Sequence, residues 1–356
     1  MLRSLRIENF RCIRSASLAF DPHCTVVEGA NGAGKTSLLE AIFTLSRGRS
    51  FRSRRRDHAI SHGESGFLLF GEITRAEVSH RVGLEVSRNG RRIRVDGEDR
   101  DRIGDLAKLL PVQVIDPTVH GLIDGGPENR RRYVDFGVFH VEQQFLASWS
   151  DFRRAVSQRN SALRVGSSDT ELDGWDQAVA ILSEQLTALR ARHVADISNR
   201  LPGITDGMLP DAEIDIEFRR GWSADRNLLD VLREHRERDR QTALTQDGAH
   251  RADLKIAFRD RAARHQVSRG QQKLLASALI LAQVAEIQTR TEQETVVMVD
   301  DPAAELDSES LDRLISATFA VPCQRVLTAL DASRLRLPVE ATMFHVEQGS
   351  FRAKST

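Results

Sequence analysis

Cysteine is scarce in this chain of 356 residues, with only Cys12, Cys24 and Cys323. Their odd number and their spacing exclude a disulfide framework and a structural zinc site as organising features. The longest apolar run, residues 274–285, is interrupted by polar residues and is too short to span a bilayer. The N-terminus carries arginine every few residues and has no apolar signal core. We therefore predict a cytoplasmic protein without a membrane partner.

Net charge is also lacking, because 51 Lys and Arg balance 51 Asp and Glu. Global charge therefore does not indicate a nucleic-acid partner. Within residues 1–60, however, 11 basic residues face 5 acidic ones, a surplus of six. Sequence-independent binding to nucleic acid requires such local charge, although a solvated loop that supports a neighbouring site is an alternative. The candidate DNA contacts are the arginines of RGRSFRSRRR, namely Arg47, Arg49, Arg52, Arg54, Arg55 and Arg56.

Internal repeats, low-complexity tracts and sustained heptads are absent, which excludes a solenoid and a long coiled coil. Alternating apolar residues predict strands up to about residue 120, and helical periodicity predominates from about residue 137. In one predicted helix the apolar residues from Trp175 to Leu189 share a face, and Asp173 is the expected N-cap. Further strands are expected at 214–218, 254–258, 296–299 and 325–329, and further helices at 274–288 and 311–319.

This order predicts an α/β body that is split by a mostly helical insert. The expected segments are 1–120 with the first part of the body, 121–245 with the helical lobe, and 246–356 with the second part of the body.

A phosphate-binding motif occupies residues 29–36, GANGAGKT, which fit G-x-x-x-x-G-K-[ST] between a predicted strand and a predicted helix. Glycines let backbone N–H groups converge on phosphate oxygens, and the helix N-terminus adds its positive dipole end. Lys35 is predicted to neutralise β/γ oxygens and Thr36 to ligate Mg²⁺. The expected ATP contacts are Gly29, Ala30, Asn31, Gly32, Ala33, Gly34, Lys35 and Thr36.

A site of this kind needs a carboxylate for the metal ion, and TVVMVDD at 295–301 is an apolar strand that ends in two aspartates. Asp300 is predicted to bind Mg²⁺ through water. Asp301 is predicted to orient or deprotonate the attacking water, which makes it catalytic together with Lys35.

The segment VSRGQQK, residues 267–273, taken alone predicts a helix that Ser268 caps. The order along the chain is the phosphate motif, Ser-x-Gly-Gln, the two aspartates and then AELD at 304–307, and this order resembles the ABC-type ATPases. The resemblance implies an ATP-dependent homodimer and a D-loop containing Asp307. It also implies a signature that addresses the γ-phosphate held by the second copy, formed by Ser268, Arg269, Gly270 and Gln271.

A more specific resemblance covers almost the whole chain. RIENFRCI at 6–13, the run DGGPENRRRYVDFGVFH at 124–140, QRNSALR at 158–164 and DGAHRADL at 247–254 are similar to the RecF family of SMC-like ATPases. The family implies an α/β, ABC-type head with a mostly helical inserted lobe and no long coiled coil. It also implies a nucleoid-associated protein that binds double-stranded DNA and gapped or single-stranded junctions, works with RecR, RecO and RecA, and hydrolyses ATP weakly in a DNA-dependent manner.

Two further residues are candidates on the basis of this resemblance. Arg11 is a candidate ATP contact. Gln113 is a candidate metal-sensing glutamine, with an ordinary strand residue as the alternative.

The chain departs from the general pattern in three respects. Ala249 stands where the family usually has proline, Val267 and Arg269 replace the Leu and the second Gly of the general ABC signature, although Arg there is usual for the family, and the strand at 325–330 ends without the histidine of transporters. In addition, Asp301 replaces the usual glutamate. The shorter carboxylate reach and the missing histidine predict slow hydrolysis. A transporter ATPase would require that histidine and a membrane partner, and a chromosome-scale head would require several hundred residues of coiled coil. Intact Lys35 and Asp300 argue against a DNA scaffold with a vestigial ATP site.

Overall fold

The computed structural model describes residues 1–53, 55–210 and 212–354, apart from the side chain of Arg56. The chain divides into two compact units. Unit 1 comprises Met1–His120, Ile204–Pro210 and Arg269–Thr356, and unit 2 comprises Gly121–Gly203 and Asp211–Ser268. The three-segment division remains a prediction. Within the described ranges, no helix combines the length and the apolar character needed to cross a bilayer.

The strands follow the alternating apolar pattern, and those expected from the sequence are confirmed within a few residues. In chain order they are β1 Leu2–Phe10, β2 Ile13–Ala19, β3 Cys24–Glu28, β4 Gly66–Arg75, β5 Val78–Ser87, β6 Gly90–Val95, β7 Glu98–Arg100, β8 Val112–Ile115, β9 Ile214–Arg219, β10 Asp253–Phe258, β11 Arg261–Ala262, β12 Val296–Val299, β13 Gln324–Ala329, β14 Thr342–Glu347 and β15 Ser350–Ala353. The two C-terminal strands were not expected.

The region in which helices predominate begins at Pro127, ten residues before the expected start at about residue 137. The helices extend beyond the predicted ranges. They are α1 Lys35–Arg47, α2 Ile103–Leu109, α3 Pro127–Val141, α4 Phe145–Arg164, α5 Asp169–Met208, α6 Leu228–Glu234, α7 Arg236–Thr242, α8 Arg269–Thr291 and α9 Ser308–Ala320.

Unit 1 contains two six-stranded sheets. One is antiparallel, in the order β2-β1-β4-β5-β6-β7, and the other has the order β15-β14-β3-β13-β12-β8. In the second sheet β14, β3, β13, β12 and β8 are parallel, so their carboxyl ends meet at one edge. Helix α1 contacts β1 and β4 of the first sheet and β13 and β8 of the second. Its apolar side chains Leu38, Leu39, Ile42 and Leu45 are completely buried, so α1 lies in the core of this unit.

Unit 2 combines helices with the three-stranded sheet β11-β10-β9. A network of ion pairs lies in its interior, centred on the fully buried Arg159 of α4. The guanidinium donates to Asp176 at 2.6 Å and to Asp239 at 2.7 Å, and both carboxylates are also fully buried. Buried charges are stable only when they are paired and hydrogen-bonded, so this network determines how α4, α5 and α7 pack.

The predicted start of α5 is wrong. Asp173 lies inside the helix, and the chain enters the helix after Ser168. The Ser168 hydroxyl accepts the Glu171 N–H at 3.3 Å, and the Glu171 carboxylate accepts the Ser168 N–H at 2.9 Å, which is a capping box. The sequence contains the S-x-x-E pattern, but the apolar period starting at Trp175 places the predicted N-cap five residues too late.

The predicted buried face of α5 is also rotated. Trp175 is 37% exposed, whereas Asp176 is completely buried because it accepts hydrogen bonds from Arg159. Val179 and Leu186 of the predicted stripe are completely buried as expected, so the polar network and the apolar stripe together decide which side of this helix faces the interior.

Replacing the central arginine tests this network. Arg159→Ala leaves the buried Asp239 without its hydrogen-bonded partner, whereas Asp176 keeps its hydrogen bonds from Arg236. We therefore expect the free energy of unfolding of unit 2 to fall by about 3–5 kcal/mol. All three tryptophans, Trp149, Trp175 and Trp222, lie in unit 2. Tryptophan fluorescence during urea denaturation therefore reports the unfolding of this unit.

The matched control is Arg233→Ala, which removes a pair with Asp173 whose two side chains are each 47% exposed. Exposed pairs contribute about 0–1 kcal/mol, so this variant should unfold close to the wild-type midpoint. Equal losses in the two variants would contradict a special role for the buried network.

Candidate functional site

The phosphate motif forms a loop between β3 and α1. Gly34 has φ +123°, a conformation that side chains with a Cβ rarely adopt, and it directly precedes α1. A Cβ on Gly29 would overlap the backbone of Val346 in β14, so the close approach of β14 also requires glycine there. A Cβ on Gly32 would meet nothing within 4 Å. The loop is therefore open on the side where phosphate oxygens would approach its backbone.

Lys35 lies across this loop. Its Nζ donates to the carbonyl oxygens of Gly29 at 2.6 Å and Ala30 at 3.1 Å, and the residue is only 6% exposed. A cleft of about 360 Å³ adjoins it. The described residues that line the cleft are Asn31, Gly32, Gly34, Lys35, Thr36, Ser37, Arg52, Pro117, Asp300, Asp301, Ala304 and Glu305.

The predicted metal ligands Thr36 and Asp300 are adjacent. The Thr36 hydroxyl lies 2.9 Å from one oxygen of the Asp300 carboxylate and 3.1 Å from the other. On β13, the strand between β3 and β12, Thr328 donates its hydroxyl to Asp300 at 2.7 Å and accepts the backbone N–H of Asp301 at 2.9 Å. A hydroxyl beside a carboxylate at the mouth of a phosphate loop fits a hydrated Mg²⁺ ion.

Burial raises the pKa of the Asp300 carboxyl, against the hydrogen bonds from Thr328 and Thr36 that lower it. Taking a carboxylate out of water disfavours its charged form, so a nearby cation would be strongly attracted to it. The oxygen ligands of Thr36 and Asp300 and the buried carboxylate of Asp300 both fit a nucleoside triphosphate with its divalent cation.

The two other acidic candidates have different surroundings. Asp301 adopts a left-handed conformation, with φ +44°, and lines the cleft. Asp307 caps α9, because its carboxylate accepts the Ser310 N–H at 2.8 Å. This hydrogen bond holds the pKa of the Asp307 carboxyl below its usual value. As the N-cap, Asp307 stabilises the start of α9.

The candidate DNA arginines point in different directions. Arg47 donates to the Val112 carbonyl at 3.2 Å, and burial lowers its pKa, so its guanidinium faces the interior. Arg52 lines the cleft, while Arg49 and Arg55 are exposed. Arg55 pairs with Asp57 at 2.7 Å. Arg54 and the side chain of Arg56 lie outside the described residues.

Arg11 and Gln113 are each engaged with another side chain. The Arg11 guanidinium donates to the Glu40 carboxylate, with a closest distance of 2.6 Å, and to the His58 carbonyl. The Gln113 amide donates to Gln283 at 2.7 Å. Neither Arg11 nor Gln113 is among the described residues that line the cleft. The residue after β8 that does line it is Pro117.

The signature segment lies at the boundary between the units along the chain. Ser268 is the last residue of unit 2 and is exposed, and α8 begins at Arg269. Arg269 and Gln271 are also exposed, whereas Gly270 is half-buried. In unit 1, Lys273 of α8 forms an ion pair with Glu305 of the segment that leads to α9.

Sequence reasoning missed Thr328, Glu305 and the cleft-facing position of Arg52. Thr328 had a detectable signal, because its hydroxyl interrupts the apolar stretch 326–329 of a buried strand. A larger hollow of about 780 Å³ lies on the antiparallel sheet around Phe70 and Gly83. The described residues that line this hollow include Arg81, Arg92 and Arg94 but none of the phosphate motif, so chemistry rather than volume identifies the candidate site.

Comparison with known proteins agrees with this architecture. The family model of the RecF/RecN/SMC N terminal domain matches residues 1–346. The DNA replication and repair protein RecF of Proteus mirabilis is 37% identical over 360 residues, which cover 99% of each chain. The protein of the same description from Pectobacterium atrosepticum is 38% identical, again over 99% of each chain.

Solved structures confirm the predicted fold class. A structure of the recombination mediator protein RecF with ATP, in the RecFOR pathway, has a TM-score of 0.88 at 22% identity and covers 99% of this chain and 97% of its own. An Smc head bound to the C-winged helix domain of ScpA has a TM-score of 0.61 at 15% identity. The match covers 100% of this chain and 98% of the Smc head chain. The fold is therefore the ABC-type, SMC-like head expected from the motifs, and the chain belongs to the RecF family.

Proposed function

We propose that this protein is an ATP-dependent DNA-binding protein of recombinational repair and replication. The observation that carries the proposal is the group formed by Lys35, Thr36 and Asp300 at the mouth of the phosphate loop. The curated relatives are DNA replication and repair proteins, and they support the biological setting.

ATP binds in this proposal with its phosphates on the backbone of residues 29–36 and with Lys35 beside the terminal phosphates. Thr36 and Asp300 hold Mg²⁺, which neutralises phosphate charge when it is bound. Asp301 orients the attacking water, and the Thr328 hydroxyl supports both aspartates. Asp301 reaches one methylene less far than the usual glutamate, and we therefore expect slow hydrolysis.

The second half of each site comes from another copy of the chain. Ser268, Arg269 and Gln271 are exposed at the start of α8, and an exposed helix start can accept a phosphate from outside. ATP therefore holds two copies together on DNA, and its hydrolysis releases them. We further propose that the dimer acts at gaps and junctions and helps RecO and RecR to load RecA.

Two variants separate ATP binding from dimerisation. Lys35→Met removes the cation of the phosphate loop, so neither ATP binding nor ATP-dependent dimerisation is expected. Ser268→Arg should leave ATP binding within about threefold of wild type but abolish the dimer, because a bulky cation occupies the position that faces the partner's phosphate. Size-exclusion chromatography with light scattering and a fluorescent ATP analogue measure the two properties.

Ser161→Arg is the control, because it adds the same side chain at an exposed serine on α4 of unit 2. This variant should dimerise normally. A normal ATP-dependent dimer of Ser268→Arg would show that the signature does not act between copies.

Removing the hydroxyl that links the two aspartates should slow hydrolysis. Thr328→Val leaves Asp300 with one donor fewer and the Asp301 N–H without its acceptor, which costs about 1.4 kcal/mol or more, a roughly tenfold loss of kcat. Steady-state ATPase kinetics and nucleotide titration measure the effect, and nucleotide affinity should change much less than kcat.

Thr318→Val is a matched control, since Thr318 is also buried and its hydroxyl donates to the Ile315 carbonyl of its own helix. Its kcat should remain within about twofold of wild type. The proposed support of the aspartates is refuted if Thr328→Val hydrolyses ATP as fast as this control.

The exposed arginines after α1 should contribute to the salt dependence of DNA binding. Arg49→Gln combined with Arg55→Gln should reduce the slope of log K against log [salt] by about 0.9 for each phosphate of duplex DNA that the variant no longer neutralises. Arg154→Gln is the control, because Arg154 is 72% exposed and Arg55 is 70% exposed. An unchanged slope in the double variant would exclude these two arginines as DNA contacts.

A further inference from the structure

A single buried carboxylate anchors the segment that follows α1. We call residues 48–61 the arginine loop, of which 48–53 and 55–61 are described. Glu40 of α1 has a side chain with no exposed surface, and it accepts the Ser50 hydroxyl at 2.5 Å. The same hydroxyl accepts the backbone N–H groups of Arg52 at 2.9 Å and Ser53 at 3.0 Å. The turn of the arginine loop is thus tied to α1 through Ser50.

Glu40 also fixes Arg11, which supports the far end of the same loop. The Arg11 guanidinium makes three hydrogen bonds to the Glu40 carboxylate, at 2.6, 3.0 and 3.2 Å. It also donates to the His58 carbonyl at 2.6 Å, and the Arg11 backbone N–H bonds the Ala59 carbonyl at 2.8 Å. A buried carboxylate without partners would be very costly, so Glu40 favours the conformation in which Arg11 and Ser50 both bond to it. Glu40 therefore stabilises both ends of the loop.

Arg52 lies between the Glu40 carboxylate and the cleft. Its Nη1 lies 3.7 Å from the Glu40 carboxylate, beyond hydrogen-bond distance, and its side chain is half-exposed. It also lines the cleft with Lys35 and Thr36. A polyphosphate in that cleft would attract Arg52, and any movement of Arg52 acts on the turn that Ser50 ties to Glu40.

We propose that Glu40 is a positioning residue that couples nucleotide binding in the cleft to nucleic-acid binding by the arginine loop. This inference rests on the proposed function. Arg52 on a bound polyphosphate adds a contact on the cleft side to a loop that Glu40 already holds against α1, so DNA phosphates meet a loop with fewer accessible conformations. The coupling is reciprocal, and DNA on the loop raises the affinity for nucleotide by the same factor.

The ratio of DNA dissociation constants without and with a non-hydrolysable ATP analogue measures this coupling. Wild type should show a ratio of at least about fivefold, the usual lower range for coupled sites. Glu40→Gln keeps the shape and one acceptor but removes the charge, and the ratio should fall below about twofold. Ser50→Ala should lower the ratio in the same way while leaving the Arg11–Glu40 pair intact. A merely structural role of Glu40 would change stability without changing this ratio.

The control is Glu64→Gln, since Glu64 pairs with Arg14 at 3.4 Å on the surface, where the side chains are 35% and 75% exposed. Its ratio should equal that of wild type. If Glu40→Gln does not fold, Ser50→Ala decides the question. A wild-type ratio in Ser50→Ala, or in folded Glu40→Gln, overturns the coupling. A ratio of one in wild type overturns the proposed function itself.

Discussion

The Asp300 carboxylate accepts hydrogen bonds from two threonines, one in the first turn of α1 and one on strand β13, and the candidate site is built on these contacts. Thr36 follows β3 and Thr328 lies on β13, and residues 264 positions apart in the chain become hydrogen-bonded neighbours. The strand order makes this possible, because β13 lies between β3 and β12 and all three end at the same edge. Four buried apolar residues in β12 hold Asp300 at that edge, where its own burial makes a cation favourable.

Helix α1 connects this edge to the arginine loop. Its N-terminus carries the phosphate motif, its middle carries the buried Glu40, and it ends at Gly48, whose left-handed conformation, φ +60°, lets the chain turn away. The apolar residues of α1 are buried in the core between the two sheets, so the helix is a rigid element. A displacement of the loop at one end can therefore be transmitted to the cleft through a few hydrogen bonds.

Much of the fold could be predicted because short-range patterns dominate it. The β3 and β12 strands have the predicted bounds, since continuous apolar runs followed by Gly or Asp have few alternatives. The buried face of α5 could not be predicted, because the pairing of Asp176 with Arg159 involves residues from two helices. Strands β14 and β15 were missed for a similar reason. They are short, and β14 is stabilised by pairing with β3, which is distant in sequence.

The sequence by itself determined the family of this protein, and its motif residues, their order and the strand–loop–helix context predict a phosphate site, a metal-binding carboxylate and a signature. It did not determine the direction of each arginine. Arg47, Arg52 and Arg55 share one basic stretch, yet one faces the interior, one faces the cleft and one is on the surface. Charge is a property of each residue, whereas its direction depends on what packs against it. Only the tertiary structure, with Glu40 and Ser50 at the base of the loop, could therefore decide which arginine faces the interior, the cleft or the surface.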